Sequence, residues 1–325
     1  MHRIFVIVLL AAVLWLAWIM LVPVAPATPQ VLLIAPGSSS RTIAAELERA
    51  GVIRNRAALQ LLHYTMPDKK LKAGEYSFTR PSSAYEIFQR LVRGDVLLRT
   101  VVVPEGYNIF DIAAAIEAAG LGSRQDFLNV AEHDTALIHN LDPQAHSLEG
   151  YLFPDTYEFS RPVSMREIAA VMVRRFQREA QSLGLGNDVH RTVTLASIVE
   201  KETAAPDERA EVAGVYANRL AKNMALAADP TVVYSALLRG NYRGTIYQSD
   251  LQSDSPYNTY RATGLPPGPI ANPGAASLQA AMHPAKSDYI FFVAAGDGSG
   301  RHRFSANFEQ HERNVIAYRK AERAR

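Results

Sequence analysis

The sequence predicts an α+β chain with a single N-terminal membrane-spanning helix. Three observations point there. Residues Ile4 to Val22 form an unbroken apolar run, a strand–turn–helix pattern recurs 69 residues later (Gly37 and Gly106, Ile43 and Ile112, Gly51 and Gly120), and amphipathic helical periods fill the middle of the chain. The 325 residues are 48 % apolar and 20 % charged, enough for a globular core and two domains. A net charge of +2 and the absence of an aromatic-basic motif argue against a nucleic-acid partner. The chain has no cysteine, which excludes a disulfide scaffold, a zinc-thiolate site and a cysteine nucleophile.

The apolar run of nineteen residues spans roughly 28 Å as a helix, close to the hydrocarbon thickness of about 30 Å. The rival reading is a cleaved signal peptide with Ala25-Pro26-Ala27 as its small-x-small site. It fits less well, because such apolar regions run only about 7 to 15 residues and Pro23, Pro26 and Pro29 crowd the site. Arg3 precedes the run and no Lys or Arg follows until Arg41, which places the N-terminus on the cytoplasmic side. Pro23 to Gln30 is a Pro-rich spacer.

The body begins with a strand at Val31–Ala35, a Pro36-Gly37 turn and a helix from Ile43 to Ala50 closed by Gly51. Leu71 to Phe78 reads as a turn and strand, and Ser83 to Val92 as a helix closed by Gly94. The second copy runs through Thr100–Pro104, the Glu105-Gly106 turn and a helix from Ile112 to Ala119 closed by Gly120. Strands and helices in this order suggest a small α+β module. Leu148 to Phe159 packs four aromatics, a proline and three carboxylates into twelve residues. That composition suits either rings that stack on sugar faces or a core strand and turn. Helices follow over Met165–Leu183, Asp188–Thr203 and Asp207–Leu220. Asp229–Tyr234, Asp254–Tyr260 and Gly264–Gly274 read as rigid loops rich in Pro, Gly, Asn and Tyr, a set suited to polar sugar chains. A hairpin of Tyr289–Ala294 and Arg301–Ser305 around Gly296–Gly300 precedes a last helix from about Asn307 to Ala321 and a basic tail ending at Arg325.

The helix ending in Glu200 carries the candidate chemistry. Leu195, Ile198, Val199 and Glu202 form one stripe, and Val193, Ala196, Ser197 and Glu200 the next, which puts Glu200 beside small residues at the edge of the core. A glutamate that donates a proton near neutral pH needs its pKa lifted from about 4.3 toward roughly 6, a differential desolvation of about 2.3 kcal/mol. The bland alternative is a solvated Glu-Lys-Glu helix end. The other motifs lead nowhere. Gly296–Gly300 lacks the Gly-Lys-Ser/Thr of a phosphate loop, Ser197 has no Gly-x-Ser-x-Gly setting, and the nine histidines form no metal-binding pattern. No cofactor and no metal are expected.

Pro104-Glu-Gly-Tyr107, Glu149-Gly-Tyr-Leu-Phe-Pro-Asp-Thr-Tyr157, Ala196-Ser-Ile-Val-Glu-Lys-Glu-Thr203, Asp229-Pro-Thr231, Tyr257-Asn-Thr-Tyr260, Gly264-Leu-Pro-Pro-Gly268 and His283-Pro-Ala-Lys286 stand in that order behind the apolar run. In this the chain resembles the endolytic murein transglycosylases of the MltG (YceG-like) type, from about Val31 to Tyr318. The resemblance implies an anchor over residues 1–22, a linker over 23–30, a LysM-like subdomain over 31–100 and a mixed α+β catalytic domain over 101–325. It further implies a bacterial inner-membrane location with the body in the periplasm, and cleavage of the MurNAc–GlcNAc bond inside nascent glycan strands to leave 1,6-anhydro ends. Peptidoglycan synthases are the implied protein partners. The family's catalytic glutamate matches Glu200, and Glu202 is the bland residue of the pair. Tyr257, Asn258 and Tyr260 are the candidates for holding glycan, with Glu149, Tyr151 and Asp155 behind them. Two other readings remain open: a hydrolytic muramidase, which needs a second carboxylate such as Asp155 or Asp254, and a non-catalytic glycan-binding scaffold.

Overall fold

The apolar run forms one helix, α1 (His2–Leu21), and its stretch Arg3–Leu21 is long and apolar enough to cross a membrane. The structure, a computed structural model, describes residues 2–203 and 205–323. The ends of the predicted anchor and basic tail, Met1, Ala324 and Arg325, lie outside the described residues. The chain divides into two units, Met1–Thr100 with Glu158–Val163, and Val101–Tyr157 with Ser164–Arg325.

In the first unit, β1 (Gln30–Ile34) is followed by α2 (Ser40–Arg49), α3 (Arg56–Thr65), β2 (Gly74–Phe78) and α4 (Ala84–Arg93). β1 and β2 pair antiparallel, with Gln30 opposite Phe78 and Ile34 opposite Gly74. Ile43, Leu47, Leu59, Phe78, Ile87, Phe88 and Leu91 are buried together, each large apolar side chain contributing about 1.5–3 kcal/mol. Ile19 is buried in the same cluster, with Leu16 and Met20 packed against it, so the last turns of α1 belong to this core. A capping box of Ser83 and Glu86 starts α4, and Gly94, at φ 79°, ends it. The sequence reading passed over α3, whose Asn55 cap accepts the Ala57 N–H.

The second unit runs β3 (Arg99–Val103), α5 (Ile109–Ala118), α6 (Arg124–His133), β4 (Asp155–Phe159), α7 (Met165–Leu183), α8 (Val189–Glu202), α9 (Arg209–Ala221), α10 (Asp229–Leu238), α11 (Gln248–Leu251), α12 (Ala275–Met282), β5 (Phe291–Ala294), β6 (His302–Ser305) and α13 (Phe308–Arg323), with β3 and β4 lying partly in each unit. β3 pairs with β4, and β5 with β6 as the predicted hairpin. α8 is the central helix. Every residue from Val193 to Val199 is buried, because α9 and α12 both pack on it. The expected single stripe is therefore a helix buried all round.

One expectation is corrected here and one open alternative is decided. Asp229–Tyr234 is not a rigid loop but the start of α10, where Pro230 occupies the first turn and leaves no N–H unsatisfied. The aromatics of Leu148–Phe159 are core: Tyr151, Phe153, Tyr157 and Phe159 are all buried. Tyr151 meets Phe176 edge-on at 5.3 Å, and its hydroxyl donates to Asp142.

Candidate active site

Glu200 sits in the last turn of α8, and three other segments converge on it. The first is the turn after β3. Gly106 adopts φ 79°, its N–H donates to Asn272 O at 2.9 Å, and its carbonyl accepts Lys201 Nζ at 3.2 Å. A Cβ on Gly106 would stand 3.4 Å from Lys201 Cδ and 3.5 Å from Glu200 Cγ.

The second segment is the stretch entering α12. Ile270 N–H donates to the buried Ser197 Oγ at 3.0 Å, which fixes the segment to α8. Asn272 is satisfied on both sides: its Nδ2 donates to Tyr107 O and Glu149 Oε1 (2.9 Å each), and its Oδ1 accepts Leu152 N–H at 2.8 Å. Gly274, the N-cap of α12, then donates its N–H to Glu200 Oε2 at 2.9 Å. A Cβ there would fall 1.9 Å from Glu105 Oε1, so any side chain at this position would push the Glu105 carboxylate aside.

The third is Arg209, at the start of α9 and buried. Its Nη2 stands 3.3 Å from Glu200 Oε1 and 3.6 Å from Glu105 Oε2, while its Nε–H has no acceptor among the described residues. Glu200 and Glu105 thus share one guanidinium. Burial raises the pKa of Glu105, and the negative charge of Glu200 adds to the rise against the pull of Arg209. In the sequence Glu105 is part of the Pro104–Tyr107 turn motif, and no spacing links Arg209 to Glu200. The two carboxylates considered there as partners are engaged elsewhere, Asp155 by Arg175 at 2.9 Å and Asp254 by Arg261 at 3.2 Å.

Two pockets that share Asp229 open at the end of α8. One, of about 310 Å³, is lined by Lys201, Asn108, Tyr234 and Tyr242. The other, of about 150 Å³, is lined by Glu202, Tyr216, Asp229 and Tyr260. Tyr260 donates to Asp229 at 2.6 Å and is 42 % exposed, so it can meet a ligand. Glu202 is not inert: its carboxyl accepts Tyr216 OH at 2.7 Å, and burial raises its pKa.

The remaining sequence candidates divide by depth. Tyr257 is half-buried, its ring 5.2 Å from that of Tyr234. Asn258 is fully buried and its amide holds the loop through Leu251 O and Ser253 O at 2.9 and 2.8 Å. Tyr151 and Glu149 are buried too. Burial pushes the Glu149 carboxyl up to about 8, opposed by hydrogen bonds from Ile109 N–H and Tyr234. Asn258, Tyr151 and Glu149 are therefore buried side chains bonded within the fold. Asp155, on β4, is exposed.

A family model described as the YceG-like family matches residues 32–317. An endolytic murein transglycosylase of Bacillus subtilis is 34 % identical over 288 residues, 82 % of this chain and 78 % of that protein. Another, of Streptococcus pneumoniae, is 30 % identical over 318 residues, 88 % of this chain but only 57 % of its own length. A crystal structure of a YceG-like protein of Listeria monocytogenes superposes with a TM-score of 0.58 at 33 % identity, covering 88 % of this chain and 98 % of that one.

Proposed function

The chain belongs to the YceG-like family, and from that premise we infer that it is an endolytic murein transglycosylase, a lyase that cuts the MurNAc–GlcNAc β-1,4 bond within peptidoglycan strands and leaves 1,6-anhydroMurNAc ends. The observation that carries the reading is Glu200, held in the last turn of α8 by Gly274 N–H and Arg209, backed by a second carboxylate, Glu105, and followed by Lys201 and Glu202, which line the two pockets.

Protonated Glu200 donates its proton to the glycosidic oxygen as the bond to the MurNAc anomeric carbon breaks. The substrate's N-acetyl group shares the positive charge left on the sugar. The glutamate, now ionised, takes the proton of the MurNAc 6-hydroxyl, whose oxygen closes on the anomeric carbon. No water enters. Arg209 and the Gly274 N–H stabilise the carboxylate that exists between the two steps. Glu105 competes with Glu200 for Arg209. Tyr257 and Tyr260 are assigned to glycan contact, while Asn258, Glu149 and Tyr151 support them from beneath and Asp155 stands outside the pocket lining. General acid–base work contributes about 10²- to 10⁴-fold, so positioning by these walls supplies much of the rest.

The N-terminal helix serves as an uncleaved inner-membrane anchor with its N-terminus in the cytoplasm and the body in the periplasm, where nascent strands and their synthases are. Residues 31–100, with their strand–helix–helix–strand start, act as a LysM-like glycan-binding subdomain, and residues 101–325 as the catalytic domain. Cutting nascent strands would end their elongation.

Product analysis on purified peptidoglycan tests the reading. Anhydro ends are lighter by one water than hydrolytic ends, so mass spectrometry separates the transglycosylase from a muramidase in which Glu105 activates water. Intact strands with wild-type protein would leave only the scaffold reading.

A further inference from the structure

α1 and the start of the body are locked together. Trp18 lies under the Arg54 guanidinium, 4.6 Å from its ring centroid, and Arg54 also donates to Pro23 O at 3.0 Å. Val24 then exchanges backbone hydrogen bonds with Ser82 at 2.9 and 3.1 Å. Three extended residues reach about 10 Å at most, so Ser82 stays near the end of the apolar helix. With α1 across a bilayer, that is the depth of the lipid headgroups. Trp15 and Trp18, both about half exposed, are the side chains that favour this interface.

Beside Ser82 opens a pocket of about 520 Å³ lined also by Arg80, Tyr85, Gln89, Arg90 and Arg93. α4 supplies the last four from one face, while Ala84, Ile87, Phe88 and Leu91 bury its other face. Arg90 is fixed in place over the Phe78 ring, 5.1 Å from its centroid, and by one bond to Ser77 O at 2.9 Å. Arg93 is paired with Asp95 at 2.7 Å. The Arg80 guanidinium has no partner among the described residues. The carboxylate in the wall, Glu86, is taken up by the Ser83 N–H at 2.7 Å.

We propose that this pocket binds the phosphate of an anionic membrane lipid. Guanidinium forks match phosphate oxygens in pairs, and the Ser82 and Tyr85 hydroxyls and the Gln89 amide suit the polar groups next to a lipid phosphate. In the sequence the exit side of the apolar run looks free of positive charge, since no Lys or Arg appears until Arg41; the fold returns Arg54, Arg80, Arg90 and Arg93 to it. The proposal rests on α1 spanning a bilayer.

The test is native mass spectrometry of the full chain in an uncharged detergent, titrated with phosphatidylglycerol or with diacylglycerol, which lacks the phosphate. Phosphatidylglycerol should bind about tenfold or more tightly than diacylglycerol. Arg80→Glu should lose that preference, and Arg80→Lys should keep most of it. Arg80 is exposed, so these variants should melt like the wild type. Equal binding of the two lipids, or binding undiminished in Arg80→Glu, would overturn the proposal. Displacement by millimolar inorganic phosphate would reassign the pocket to a soluble anion, and displacement by a murein tetrasaccharide would reassign it to glycan. Alkaline extraction of the chain from membranes is the separate check on the anchor: an extracted chain removes the premise, while an embedded chain without lipid preference removes only the pocket's role.

Discussion

The two copies of the strand–turn–helix repeat share a backbone and differ in what lies over the turn. The offset of 69 places β1 on β3 and α2 on α5 residue for residue. Gly37 and Gly106 have φ of 80° and 79°, and Gly51 and Gly120 have 68° and 69°. Each copy continues into a second helix and a strand that pairs with the first, α3 and β2 in one, α6 and β4 in the other. A Cβ on Gly37 would meet nothing within 4 Å among the described residues, whereas one on Gly106 would meet Glu200 and Lys201. Pro36-Gly37-Ser38 and Glu105-Gly106-Tyr107 show that a local pattern dictates the turn and the surroundings decide its use. A duplicated turn becomes part of a site when a helix end carrying a carboxylate packs against it.

The largest expected effect tests that helix end. Glu200→Gln keeps the size and the Gly274 hydrogen bond but cannot cycle a proton, and it should lower the yield of anhydro ends by about 10³-fold or more with the fold intact. Glu202→Gln, which disturbs only the bond from Tyr216, should keep activity within about tenfold. If Glu202→Gln were the inactive one, the proton donor would sit in the Asp229–Tyr260 pocket and the second copy's turn would be as structural as the first. Product counts by mass spectrometry decide.

The next effect concerns Glu149, which ties Asn272 to the second copy's turn and has no counterpart at Gly37. Its carboxyl is raised to about 8 from 4.5, so the folded state holds a proton that the unfolded state releases. The stability it lends is complete below about pH 4.5 and declines as the pH rises toward about 8, by a few kcal/mol at most. Melting curves at pH 5 and pH 8 should therefore differ by several degrees in the wild type, and by less in Glu149→Gln. Equal pH dependence in both would mean that Glu149 is not the titrating group.

These contrasts mark what the sequence made legible. α7 was read correctly at both ends because Ser164 and Glu167 form a capping box and Gly184 closes the helix at φ 72°. The hairpin of β5 and β6 and the place of Glu200 at a helix end were legible for similarly local reasons. α3 and α12 lack such strong signals, and α10 was masked by a proline that favours first turns as well as loops. Asn258 and Tyr151 look like surface residues by type. Their burial depends on acceptors that the fold delivers, Leu251 O and Ser253 O for one and Asp142 for the other. Glu105 and Arg209 could not be paired with Glu200 from spacing, since only the packing of the β3 turn and α9 onto α8 brings them within reach.

Glu105 tests whether the second copy's turn feels the helix end. Its carboxyl is raised by burial first and by the charge of Glu200 second, against the pull of Arg209. Glu200→Gln removes that charge and should move the Glu105 titration to lower pH. Arg209→Met removes the cation and should move it to higher pH, with about ten- to a hundredfold lower activity from the lost support of the Glu200 carboxylate. Carboxyl-carbon NMR titration of Glu105 reads both. Shifts of the same sign in both variants would break the shared-guanidinium account.

The smallest effect probes the repeat directly. Gly37→Ala and Gly106→Ala place an L side chain at the same left-handed φ, which costs roughly 1 kcal/mol in either copy. Both should lower Tm by a few degrees in their own unit. Only Gly106→Ala also brings a methyl to 3.4 Å from Lys201 Cδ and 3.5 Å from Glu200 Cγ. Contacts of that length are ordinary van der Waals distances, so the carboxyl should stay in place and the rate should fall by only a few-fold, through the strain of the turn itself, with KM little changed. Gly37→Ala should leave the rate untouched. Equal activity in the two variants would show that the second turn tolerates a neighbour as the first does, and would leave Arg209 and Gly274 as the groups that set the position of Glu200.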